Sequence, residues 1–339
     1  MRALHTLLLF TIVLISACTG TTEKQNNPPG WIDGHSKHYP TQLYLTGQGS
    51  ADNLNDAKDR ARADLAKQFE VAINERSLQQ QQYNKQQQGE KISEELQQSI
   101  SRQLITQTTR TVQGIEIADS WNDKTTHKYY ALAALSRNKA KQNFEQQINS
   151  LDQNSKQKLK QAESETDKLK KSALVQQAID AQLKHQSIQS ALQVVDTSGR
   201  GKPATISLAE LIRTRDSLIG NIRLSASTTG ALSEQLQTII SANSANAGFQ
   251  ISTEEQSDYS LVAELKLDPP LIKNQWHWLR GTLEIRLVDN NSNNIGLQRW
   301  PLKAASVTSD QTEQRLLSDI HDILKKELRT AVLVFGTTD

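Results

Sequence analysis

Ala57, Ala61, Leu65 and Phe69 recur every four residues directly after the apolar run Leu43-Tyr44-Leu45-Thr46-Gly47, and no other stretch restricts the architecture as tightly. Residues four apart lie along one helical face, so a helix is expected from about Asn53. A face that opens with two alanines has little side-chain depth. Such a helix must lie close on its neighbour, and the preceding run supplies that neighbour as a short strand stopped by Gly47. Asp52 and Asp56 place negative charge at the helix start, where the helix dipole favours it. Polar helix formers continue to about Ser101. Thr108 to Ala118 and Lys128 to Leu135 then read as strands, separated by the turn-like Trp121-Asn122-Asp123-Lys124. Residues 30–137 are therefore expected to form a small α+β unit.

Residues 138–219 carry a helical pattern. Ala140, Phe144, Ile148 and Leu151 open an apolar stripe, and Leu159, Ala162, Thr166, Leu169 and Ala173 extend it as a weak heptad seam of small residues. This predicts a helical stalk or hairpin joining two domains, in preference to a coiled-coil dimer. Thr197-Ser198-Gly199-Arg200-Gly201-Lys202-Pro203 breaks the pattern, and Leu208 to Ile219 closes it as a shorter helix. In residues 220–339 the period changes. Ile222, Leu224 and Ala226 alternate, as do Leu261, Ala263, Leu265 and Leu267, and Leu283, Ile285 and Leu287. Helical stripes fall on Leu232, Leu236, Ile239 and Ile240, and on Leu316, Ile320, Ile323, Leu324 and Leu328. The expected fold class is α+β: two small sandwich-like domains with mainly antiparallel sheets, joined by a long helical region.

The candidate chemistry is sparse. Gly47-Gln48-Gly49 sits where a dinucleotide loop would, but the third glycine position is Asp52, and that charge occupies the place a phosphate needs; a tight strand-to-helix turn explains the glycines. His35 and His38 stand near Asp33 without further ligands, which suits surface histidines better than a metal site. No Gly-x-Ser-x-Gly is present, and the acidic residues are scattered among lysines. No catalytic, cofactor-binding or metal-ligating set is assigned, and no enzyme is expected. With a formal net charge of +2 no strong field draws the chain to nucleic acid. Gln79 to Gln88 is glutamine-rich and reads as a solvated part of a helix or loop. Trp276-His277-Trp278 is the most distinctive downstream stretch: in a strand both indoles share one face, either packed in a hairpin or presented to a protein or glycan partner.

The chain has one cysteine, Cys18, so no internal disulfide is possible. It follows a weakly basic start and the apolar run Leu7 to Ile15, which as a helix covers roughly 14 Å against about 30 Å of hydrocarbon. That is an export signal and not a permanent span. Ile15-Ser16-Ala17-Cys18 resembles the lipobox of bacterial lipoproteins, which implies removal of residues 1–17 and lipid attachment at Cys18. Arg2 leaves with the signal, and the formal charge falls to +1. Residues 18–29 form a polar tether ending in Pro28-Pro29-Gly30. Thr19 stands where aspartate often marks inner-membrane retention, so the anchor is expected in the outer membrane, facing the periplasm.

"PPGWIDG", "YLTGQGSADNLNDAKDRARADLAKQFEVAI" and "HKYYALAALSR" together resemble the bacterial family named after the twenty-kilodalton membrane lipoprotein LPP-twenty. The matching residues are Trp31, Gly47, Gly49, Ala57, Ala61, Leu65, Ala66 and Gln68. The resemblance implies an envelope lipoprotein without enzymatic chemistry. A similar unit opens flagellar assembly protein T. The last third is more loosely similar to small α+β domains of that protein, of TolB and of lipoprotein activators of peptidoglycan synthases. The expected function is thus a lipid-anchored periplasmic binding or assembly module with an envelope protein partner. The alternatives are an activator of a peptidoglycan synthase and, less favoured, an envelope hydrolase.

Overall fold

The computed structural model describes residues 27–34, 36–88 and 114–337. The lipid-attachment candidate Cys18, His35, the helix extension beyond Gln88 and the first residues of the expected strand at Thr108 lie outside them.

In the first unit β1 (Tyr44–Ala51) leads into α1 (Leu54–Gln88), followed by β2 (Glu116–Asp123) and β3 (Lys128–Ser136). The sheet order is β1-β3-β2, antiparallel throughout. Gly47 does not end the strand; β1 runs through both glycines. The reason is the helix crossing above them. Ala57 and Ala61 are fully buried, and a Cβ on Gly47 would stand 2.4 Å from the Leu65 amide nitrogen, one on Gly49 2.3 Å from that of Ala61. Strand and helix therefore meet backbone to backbone. Between the glycines the Gln48 amide donates to Asp64 Oδ2 at 2.9 Å, so the position a phosphate loop would use is filled by the protein's own carboxylate. Asn53 caps the helix, its Oδ1 accepting the Asp56 amide at 2.9 Å. Residues 29–34 and 36–43 run across the opposite face of the sheet, where buried Trp31 donates from Nε1 to Asp119 Oδ2 at 2.8 Å and Tyr39 donates to the Ala118 carbonyl.

The expected turn at Trp121 falls inside β2. Trp121 pairs across the sheet with Tyr130, their rings 5.4 Å apart, and the chain reverses at Lys124 to His127. Asp123 fixes that reversal by accepting from the Thr125 amide and the Thr126 hydroxyl.

The helical region consists of α2 (Arg137–Ser164), α3 (Lys168–Val195) and α4 (Leu208–Ile219). The heptad seam is not continuous: it breaks at Glu165 to Asp167, where Asp167 Oδ1 accepts the Leu169 and Lys170 amides and starts a second helix running back along the first. Small residues permit the close approach, as at buried Ser155, which reaches the Ala178 carbonyl. This hairpin does not stand apart as a stalk. Phe144, Ile148, Val175, Ile179 and Leu192 share one hydrophobic core with Leu65, Phe69 and Ile73 of α1 and with the β3 alanines. At about 1.5 Å per residue its 28-residue helices are roughly 42 Å long. Their base is tied beside β3, Arg137 Nη1 donating to the Val194 carbonyl at 2.7 Å. Their tip enters the second unit, where Leu169 joins the core, Tyr259 donates to Asp167 Oδ2 at 2.6 Å and Lys168 pairs with Asp258 at 2.9 Å. Burial and the Asp167 charge push the Tyr259 hydroxyl well above its ordinary pKa, so it remains a donor.

The second unit runs β4 (Arg223–Gly230), α5 (Ser233–Asn246), β5 (Gln250–Ile251), β6 (Tyr259–Leu267), β7 (Leu271–Lys273), β8 (Trp276–Asp289), β9 (Asn294–Ser306) and α6 (Ser309–Phe335). The sheet order is β5-β4-β6-β8-β7, with β9 on β8. β4 pairs parallel with β5 and β6, because α5 carries the chain back across the sheet; the other pairs are antiparallel. Leu236 and Ile240 of α5 and Leu316, Ile320, Leu324 and Leu328 of α6 are buried with Leu261, Leu283, Ile285 and Leu287. Both helices thus cover one face.

Two consequences are measurable. Gly47→Ala and Gly49→Ala push a methyl into helix backbone that has no side chain to move aside; each is expected to cost about 3 kcal/mol in urea unfolding, the upper range for overpacking. Asp196 closes the hairpin base. A hydrogen bond from the Ser198 hydroxyl, working against burial and helped by Lys141 and the amides of Ser198 and Gly201, holds its carboxyl at about 2. A depressed pKa stabilises the fold above the unfolded value near 3.8, and that contribution is lost as pH falls through about 2. Asp196→Asn is expected to lose about 2 kcal/mol at pH 7. The gap to the unmodified protein should narrow toward pH 2.

Candidate functional site

The two faces of the second sheet differ. In β8 the residues Leu279, Leu283, Ile285 and Leu287 point to α5 and α6, so Trp276, Trp278, Arg280, Thr282, Glu284 and Arg286 point the other way. Cross-strand register extends this second face over Lys266 on β6, Leu271 and Lys273 on β7, and Arg299, Pro301 and Lys303 on β9. Among the described residues no helix covers it. The structure brings Trp276 and Trp278 together on this open face. Trp276 is 45% exposed, while Trp278 is half-buried beneath Lys303, whose Nζ lies 4.9 Å from the ring centroid.

Their placement comes from a two-residue turn. Asn274 and Gln275 both have positive φ, 53° and 64°, the conformation that closes a tight hairpin with the natural strand twist, and Lys273 then pairs with Trp276 and Leu271 with Trp278. The sequence lacks the usual Asn-Gly at this point, so the turn was not legible. Farther along the face Glu284 is held below the usual carboxylate range, chiefly by its hydrogen bond from Arg299 at 2.7 Å, with Arg286 at 3.7 Å on its other oxygen. It stands opposite Glu264, which pairs with Lys266 at 3.0 Å. The third tryptophan of the unit, Trp300, points into the core and donates to Glu327 Oε2 at 2.6 Å.

The partners of buried His185 escaped sequence reasoning. His185 Nδ1 lies 2.7 Å from Asp152 Oδ1 and Nε2 lies 3.0 Å from the Lys202 carbonyl, so both ring nitrogens are engaged and the ring ties α2, α3 and the following loop together. The partners are 33 and 17 residues away, and no local pattern announces them. His38 is exposed, and among the described residues no group of three or more metal-ligating side chains assembles. A hollow of about 750 Å³ lies between Tyr39, Tyr44, Ile117 and Phe144; the carboxylate in its lining, Glu116, faces Lys139 at 4.0 Å. No described helix is long and apolar enough to cross a membrane.

Residues 29–136 match the family model of the LPP20 lipoproteins. The match covers the first sheet, its crossing helix and the segment around Trp31, and it supports a lipoprotein of the cell envelope. No curated protein matches the chain. Among solved structures, a minor lipoprotein of Acinetobacter baumannii is 19% identical over 33% of this chain and 90% of its own, with a TM-score of 0.27. The secreted protein HP1454 of Helicobacter pylori is 15% identical over 83% of this chain and 96% of its own, with a TM-score of 0.41. A lipoprotein of Caulobacter crescentus is 13% identical over 37% of this chain and 96% of its own, with a TM-score of 0.26. Similarities this distant carry no functional argument. None of these matches supports the expected likeness to flagellar assembly protein T.

The positions of the tryptophans separate surface from core by stability. Trp276→Ala with Trp278→Ala is expected to cost about 1 kcal/mol in chemical unfolding, as for groups that keep contact with water. Trp300→Ala should cost about 3–5 kcal/mol.

Proposed function

We propose that this protein is a lipid-anchored lipoprotein, attached through Cys18 to the outer membrane and facing the periplasm, that acts as a non-enzymatic binding module in the cell envelope. Its contact surface is the open face of the second sheet. The observation that carries this reading is the contrast between the two sheets. The first carries α1 on one face and the Trp31 segment across part of the other; the second is covered by α5 and α6 on one face and, among the described residues, by no helix on the other, which presents Trp276 and Trp278. Exposed tryptophan is costly to leave in water and is a common anchor of binding energy. The first unit and the hairpin then serve as the mount: they join the tether to a sheet held through Tyr259, Asp167 and Lys168.

The test uses one reporter. Thr282 lies at the centre of the open face, and Cys18 is lipidated on this reading, so Thr282→Cys offers a single thiol to a polar maleimide. Labelling is expected to be several-fold slower in intact envelopes than in the detergent-purified protein. Equal rates would show an unoccupied face and remove the reading.

A further inference from the structure

The end of the open face nearest the β7–β8 turn has a distinct chemistry. Leu271 is 51% exposed beside Trp278, and Trp276 is 45% exposed beside Lys273. Arg280 and Lys303 are cross-strand neighbours immediately behind them. Unlike Glu264 and Glu284 farther down the sheet, which are paired with Lys266 and Arg299, the cations at this end, Lys273, Arg280 and Lys303, make no ion pair among the described residues. Asp268, whose amide donates to the Arg280 carbonyl, is the acid beside them among the described residues. On the reverse side of β7, Ile272 is 64% exposed, so the projecting hairpin is apolar on both sides.

Exposure and charge select the ligand. Residues 268–276 are all exposed, and Lys273, Arg280 and Lys303 stand together at this end of the face. Tryptophan and leucine flanked by lysine and arginine is the chemistry of a membrane–water interface: indoles sit at headgroup level while cations meet lipid phosphates. We infer that the β7–β8 hairpin and the adjoining open face dock on an anionic phospholipid surface, giving the protein a reversible membrane contact additional to its lipid anchor. This inference rests on the reading that the open face is the contact surface, and it names the occupant. Apolar burial and charge act together. Each cation near an anionic surface is worth about a fivefold change in the docked-to-free ratio, and the effect is screened as the Debye length falls to about 3 Å in about 1 M salt.

The experiment places the full lipidated protein in vesicles with brominated acyl chains, made either of phosphatidylcholine alone or with phosphatidylglycerol added, and records tryptophan quenching. Strong quenching is expected only in the phosphatidylglycerol vesicles, fading in high salt. Arg280→Gln and Lys273→Gln should each lower the docked-to-free ratio about fivefold. Trp276→Phe with Trp278→Phe, which preserves an aromatic at each site, should remove the quenched component. Equal emission from the two kinds of vesicle overturns the inference, as does quenching that persists in the double phenylalanine variant. Protection of Thr282→Cys in envelopes without quenching in anionic vesicles also overturns it, because a protein or glycan then covers the face, while the contact-surface reading survives. Unprotected Thr282→Cys without quenching defeats both.

Discussion

The contact between the backbones of β1 and α1 is the constraint on which the remaining structure depends. Gly47 and Gly49 leave a shallow groove in the strand, and Ala57 and Ala61 leave one in the helix, so the two elements approach more closely than any larger side chains would allow. That approach fixes the direction of α1, and direction decides where its later residues Leu65, Phe69 and Ile73 project. They project into the hairpin. The core they share with Phe144, Ile148 and Ile179 makes the first sheet and the helical region one body, so the hairpin's base cannot swing on its loops.

The hairpin transmits that orientation over its length. At the tip, Asp167 serves two purposes at once: one oxygen accepts the amides that start α3, and the other accepts the Tyr259 hydroxyl from the second sheet. A helix cap is thereby also an inter-unit bond. Lys168 adds the Asn221 carbonyl and Asp258, and Leu169 seals the apolar side of the same junction. Polar and apolar contacts converge on three consecutive residues, which hold the second unit at the end of β6 near Tyr259.

Much of the fold was legible because it rests on periodicity. The four-residue stripe of α1, the two-residue alternation of β4, β6 and β8, and the stripe of α6 all appear as read, since local pattern and burial agree there. The misreadings share a cause. Gly47 looked like a strand end, Trp121 like a turn and Thr166 like part of a seam, and each was decided by something distant or by a single side-chain bond: a helix crossing the strand, a ring across the sheet, an aspartate capping a new helix. The candidate site was half legible. Alternation put Trp276 and Trp278 on one face, but whether helices would cover that face depended on where α5 and α6 pack.

The sequence by itself determined the α+β class and the shared face of Trp276 and Trp278, because composition and period are properties of neighbouring residues. Tertiary structure alone decided that the helical region joins the first core, that His185 meets Asp152, and that α5 and α6 cover only one face of the second sheet. Those outcomes depend on contacts between residues tens of positions apart. Their geometry exists only once the glycine and alanine backbones have set the angle at which everything else packs.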